Sequence, residues 1–154
     1  MQIEEVQFRI EEGFQNLQDQ LEEISDTFLF QLEDRAYRSL PKLLQTDLGV
    51  VVKERLVRRF IKTKNSRAFE INIFGKAEKD GLELYVIGEA KTNLSVRHID
   101  DFIAKLEELR ETFQTELLPI MVTYMKEPEV YEYAKSKGIR VYYSYDFEFI
   151  AWIN

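Results

Sequence analysis

A chain of 154 residues that is 45% hydrophobic and 32% charged, with six glycines and three prolines, has the size and composition of one globular domain rather than of a disordered or fibrous segment. It has no cysteine and a single histidine, which excludes disulfides, thiolate metal sites, a structural zinc site and a Cys-His nucleophile. The formal net charge of −7 does not speak against nucleic acid, because residues 1–48 hold eleven acids against four bases and the rest is balanced at 17 against 17. There is neither an apolar stretch of about 18 residues nor a basic-then-apolar leader, so a soluble, cytoplasmic protein without a membrane partner is expected.

Ile3, Ile10, Phe14, Leu17, Leu21, Ile24 and Phe28 recur as a heptad seam, with Phe14, Leu21 and Phe28 on one position and Ile10, Leu17 and Ile24 on the other. A helix of this kind needs something to cover its stripe. Self-association, most simply a homodimer, is the expected cover, and packing onto its own domain is the alternative. The organisation read from this is a coiled-coil helix over 1–27 and a domain over 28–154. The helix should continue through Tyr37, break at Ser39 and Pro41 into a fresh short turn, and end at Gly49.

Residues 50–61 fit either period, and their β-branched content favours a strand. In this region Lys53, Arg55, Arg58, Arg59, Lys62, Lys64 and Arg67 face only Glu54. Such a run suits phosphate neutralisation or a solvated edge, and both readings stay open here. Residues 68–74 alternate, which puts Glu70 and Asn72 on one face and Phe69, Ile71 and Ile73 on the other. Lys79-Asp80-Gly81 signals a hairpin into a strand over 82–90. Ser95 is a plausible cap for an amphipathic helix carrying Val96, Ile99, Phe102, Ile103, Leu106 and Leu109. A buried strand over 117–124, a helix over 127–137 closed by Gly138, and a last strand over 139–145 follow. A buried strand-helix-strand passage favours parallel pairing, so the sheet should be mixed.

Glu89-Ala90-Lys91 closes the strand over 82–90. An acid and a lysine at i and i+2 of a strand point the same way. Eleven lysines and 28 acids in this length produce roughly two such pairs by chance, so placement decides their meaning.

A helix, a three-strand meander ending in ExK, then a helix and a buried strand resembles the PD-(D/E)xK nuclease-like superfamily. With the acidic heptad helix in front, and with Glu70-Ile71-Asn72-Ile73-Phe74-Gly75 and Val86-Ile87-Gly88-Glu89-Ala90-Lys91-Thr92, it looks like a prokaryotic group that carries such a domain behind a coiled coil. The resemblance covers residues 28–145. It implies a restriction-endonuclease-like mixed sheet, Mg²⁺ (with Mn²⁺ in its place), and hydrolysis of phosphodiester bonds in DNA. It further implies that Glu89 and an acid of the preceding strand are metal ligands, that Ala90 offers its carbonyl, and that Lys91 orients the attacking water or stabilises developing charge. Mg²⁺ takes oxygen ligands and keeps several waters, so two carboxylates and a carbonyl suffice.

The chain departs from that pattern at Asn72, which stands where the family's second-strand aspartate is expected and brings no charge. Glu70 lies two residues earlier, about 7 Å along a strand, and is the substitute. The family's helix acid maps to Glu33 if residues 50–61 are a strand and to Glu54 if they are a helix. Two functions follow: a Mg²⁺-dependent endonuclease, or a catalytically impaired nuclease-like protein that binds nucleic acid or a protein partner and is dimerised by its N-terminal helix. Among the remaining signals, His98 reads as a surface helix histidine. Tyr142, Tyr143, Tyr145, Phe147, Phe149 and Trp152 read as a strand sealing the core or a dimer contact rather than as a base-stacking platform. Gly75, Gly81 and Gly88 read as turn or close-packing glycines.

Overall fold

The computed structural model describes residues 2–147. Phe149 and Trp152 of the aromatic cluster lie outside the described residues. The heptad stripe forms the first part of one helix, α1 (Ile3–Leu48), which ends at Gly49 in the left-handed conformation, φ 67°. Pro41 lies inside this helix, so the expected break at Ser39 and Pro41 is absent. An interior proline costs about 3 kcal/mol. Leu40, Leu43 and Leu44 around it are buried, and each contributes about 1.5–3 kcal/mol by leaving water, so packing outweighs the local rule.

The region 50–61 forms two short strands, β1 (Val51–Val52) and β2 (Val57–Lys62), with a break between them. Both pair antiparallel with β3 (Ala68–Lys79). β3 turns into β4 (Leu82–Asn93) through Asp80 and Gly81, whose φ angles of 53° and 81° are those of the two-residue hairpin loop that the sequence signals. Next come α2 (Val96–Phe113), β5 (Glu116–Met125), α3 (Pro128–Ser136) and β6 (Arg140–Tyr143). The last strand is shorter than expected, since residues 144–147 are helical. β5 runs parallel to β4 and β6 parallel to β5. The sheet is therefore mixed, in the order β1-β3-β4-β5-β6 with β2 beside β3, and the expected chain order of a helix, an antiparallel meander, a helix, a strand, a helix and a strand is present, its first helix continuous with the long N-terminal one.

Helices cover both faces of the sheet. Leu32, Ala36, Leu40 and Leu44 of α1 pack with Ile73, Val86, Ala90 and Val122 on one face. Ile99, Phe102, Leu106 and Leu109 of α2 pack with Ile71, Phe74, Ile87 and Met121 on the other. Gly88 lets β3 and β4 close tightly: a Cβ there would lie 2.9 Å from Ile73 Cβ and 3.4 Å from the Ile120 carbonyl oxygen. Gly88→Ala must push one of these aside, and it is expected to lower stability by about 1–3 kcal/mol, read as a lower urea midpoint at unchanged slope.

Candidate functional site

The site is organised by an irregularity in β3. Val57 pairs with Phe74 while Arg59 pairs with Ile71, so two steps along β2 match three along β3. This is a bulge, which inserts one residue and reverses the side-chain alternation beyond it. Ile71 thus joins the α2 side and Ile73 the α1 side, which corrects the uninterrupted alternation expected for residues 68–74. The β3–β4 ladder runs from Lys79↔Leu82 to Ile73↔Gly88. Just past its end Asn72 Oδ1 accepts the Ala90 N–H at 3.0 Å. The Tyr37 hydroxyl of α1 donates to the Asn72 carbonyl at 2.7 Å, which ties the helix to the bulge.

On the α1 side, Arg58 bridges two acids, pairing with Glu33 of α1 and with Glu70 of β3. Its Nε also donates to Glu33 Oε2 at 3.3 Å, and its guanidinium stands 5.6 Å over the Phe30 ring. Glu33 is 3% exposed, so this carboxylate depends on its partners. Tyr37 lies 3.3 Å from Glu33 Oε2; burial, and then the Glu33 charge, push its hydroxyl up to about 12. Residues 51–52 and 57–62 are strands, which is the condition under which the resemblance points to Glu33 rather than Glu54. Glu54 instead accepts the Lys76 N–H at 2.9 Å.

On the α2 side, Glu89 is 4% exposed and accepts a hydrogen bond from Lys105 Nζ of α2 at 2.5 Å. Glu89 has the parity of Ile87, which packs under α2, and Ala90 has that of Val86, which packs under α1. Lys91, two residues on, stands beside an open cavity of about 200 Å³ lined by Ser25, Leu29, Ala90, Lys91, Thr92, Asn93 and His98. No ion pair engages Lys91 among the described residues.

His98 is not an idle surface histidine. It occupies the third position of α2, where its N–H donates to Ser95 Oγ at 3.3 Å and its Nδ1 accepts the Ser95 N–H at 3.2 Å. This reciprocal cap satisfies two helix-end donors and requires a neutral ring nitrogen. Burial, and then the charge of Lys91, lower the His98 pKa from its ordinary 6.5. A base depressed in the folded state gives stability that is complete above its unfolded pKa and is lost as pH falls from there through its lower folded pKa. The urea midpoint should therefore drop between pH 7.5 and 5.5 by more in the native protein than in His98→Gln, which keeps the cap without titrating. Equal drops in the two proteins would refute this role.

The oxygen donors assigned by resemblance do not converge on one point. Glu70 turns to the α1 side with Arg58, Glu89 turns to the α2 side with Lys105, and the Asn72 side-chain oxygen serves the Ala90 amide. Among the described residues no group of three Asp, Glu, His or Cys side chains is placed to hold a metal ion. A Mg²⁺ ion needs near-octahedral oxygens around one centre, and Glu70, Asn72, Glu89 and Ala90 do not fit it as arranged. Arg58 and Lys105, which neutralise the acids, carry no role in the sequence reading. Their signals are faint: Arg58 is one base among seven, and Lys105 stands next to the apolar stripe at Leu106.

A second feature lies on the open edge of the sheet. Among the described residues β2 pairs only with β3, and Arg55, Arg59, Lys62, Lys64 and Arg67 along and beside it are exposed. Phe60, 69% exposed, stands among them. Arg67 lies 3.7 Å from Glu108, and Arg59 stands 5.3 Å over the Phe74 ring. Among the described residues no ion pair engages Arg55, Lys62 or Lys64. No helix among the described residues is long and apolar enough to cross a membrane.

No protein-family model matches the chain, and no curated protein matches it. Two solved structures are similar to it. One is a protein of unknown function, with a TM-score of 0.49 and 21% identity over 75% of this chain and 57% of that one. The other is a repair endonuclease from Pyrococcus abyssi, with a TM-score of 0.42 and 14% identity over 68% of this chain and 44% of that one.

Proposed function

We propose that this chain is a DNA-binding protein on a nuclease-like domain whose ExK pair is closed by an internal ion pair, so that it holds nucleic acid without cutting it. The observation that carries this reading is the Glu89–Lys105 pair, with the other strand acid, Glu70, on the opposite face of the sheet. Lys105 takes up the negative charge that Glu89 would otherwise offer to an ion. DNA is assigned to the β2 edge, where exposed cations flank exposed Phe60. Cations of this kind neutralise phosphates, and an aromatic face stacks an unpaired base. Self-association through the N-terminal part of α1 belongs to the same reading.

The test measures fluorescence anisotropy of single-stranded and duplex DNA with the full chain, with a cleavage assay in Mg²⁺ and in Mn²⁺ alongside. With about four phosphate contacts, affinity should fall about a hundredfold between 50 and 200 mM salt, and the DNA should stay intact in both metals. Salt-independent binding, or none, sinks the interface.

The competing reading is a Mg²⁺-dependent endonuclease acting on DNA. What favours it is Lys91, unpaired beside Glu89 at an open cavity. It requires Lys105 to leave Glu89. Metal-dependent cleavage that disappears in both Glu89→Gln and Lys91→Ala would establish it in place of the first.

A further inference from the structure

We propose that α1 joins four copies of this chain, not two, in a four-stranded coiled coil over residues 3–28. This rests on the self-association in the proposed function and adds its stoichiometry. Phe14, Leu21 and Ile10 on the seam are 64%, 65% and 53% exposed, so the described residues leave the seam uncovered, and among them the burial of α1 begins only at Leu32.

The spacing fixes the heptad positions. Gaps of three from Phe14 to Leu17 and from Leu21 to Ile24 place Gln7, Phe14, Leu21 and Phe28 at a, and Ile3, Ile10, Leu17 and Ile24 at d. Two-stranded coils favour β-branched residues at a and leucine at d. The reverse, leucine at a with isoleucine at d, shifts the preference to more strands. This chain has no β-branched residue at a, and isoleucine at three of its four d positions.

The flanks agree. Positions e and g border the seam in a dimer and turn toward neighbouring helices when strands are added. Here g is Val6, Gly13, Gln20 and Thr27, and e is Glu4, Glu11, Gln18 and Ser25. Six of these eight are uncharged, and several are small. All four f positions, furthest from the seam, are acids: Glu5, Glu12, Asp19 and Asp26. Six of the eight acids of this segment, these four with Glu22 and Glu23 at b and c, therefore lie away from the seam, where they repel like helices least.

Gly13 is the independent sign. Glycine is disfavoured inside a helix, yet Gly13 has no positive φ and a Cβ there would meet nothing within 4 Å. Among the described residues no neighbour gives a reason for it. It opens a groove between Ile10, Phe14, Leu17 and Gln20, the shape that takes a side chain from an adjacent helix.

Sedimentation equilibrium on the full chain tests this. The expected mass is four times 18.4 kDa. Exchanging the two layers, by Phe14→Ile, Leu21→Ile and Phe28→Ile with Ile10→Leu and Ile24→Leu, should halve that mass while leaving the domain folded by circular dichroism. A native dimer or trimer overturns the four-stranded assignment, and a tetramer that survives the exchange overturns the argument from a and d. A monomer overturns self-association as well, including the case in which the seam serves a different protein. DNA affinity at the β2 edge, measured on the same samples, is a separate reading, so its loss is distinguishable from any of these.

Discussion

Arg58→Ala is expected to destabilise the protein by about 2–4 kcal/mol. Removing one partner from a buried ion pair costs about 3–5 kcal/mol, because the other charge is left without compensation. Here one guanidinium serves two carboxylates, and Glu33, with its side chain 4% exposed, would keep only the Tyr37 contact at 3.3 Å. The figure lies below the full range because the side chains of Arg58 and Glu70 are 32% and 36% exposed, and water takes up part of the loss. Arg58→Lys separates charge from geometry: an ammonium keeps the charge but cannot reach both acids as a planar fork, so it should recover about half of the stability. Urea denaturation followed by circular dichroism reads both variants. A loss below about 1 kcal/mol for Arg58→Ala would mean that Glu33 is hydrated despite its burial.

The same residues explain what the sequence could and could not convey. The order of elements along the chain was legible because each announces its period: alternation over 68–74, the Asp80-Gly81 turn, then the change to a helical stripe after Ser95. The bulge was not, because Phe69, Ile71 and Ile73 are apolar at perfect period two, and a sheet covered by helices on both faces buries an apolar side chain either way. Only the pairing with β2 reveals the extra residue, and with it the separation of Glu70 from Glu89. Pro41 misled by a sound local rule that three buried leucines override. His98 was missed because the third helical position of a capping box is ordinarily Glu or Gln. Lys105 was missed because its meeting with Glu89 depends on how α2 lies across β4, which no spacing along the chain records.

That meeting is where the functional reading can be broken. Lys105→Ala leaves Glu89, whose side chain is 6% exposed, without its cation, and is expected to cost about 2–4 kcal/mol, again below the full buried-pair range because Lys105 is 31% exposed. Glu89→Ala should cost less, since a partly exposed ammonium regains water more readily than a buried carboxylate does. The double variant Glu89→Ala/Lys105→Ala should be more stable than the sum of the single losses by about 1–3 kcal/mol, the coupling of residues in direct contact. If the pair is a structural closure, none of the three variants cuts DNA in Mg²⁺ or Mn²⁺, and all keep the native salt dependence of binding, because the β2 edge is untouched. If Lys105 instead shields a dormant ligand, Lys105→Ala alone should bind Mn²⁺ in isothermal titration and gain cleavage that Lys91→Ala removes. The closed-site reading does not survive that gain. Coupling near zero would equally deny that Lys105 holds Glu89 at all, so stability and chemistry test the pair by separate routes.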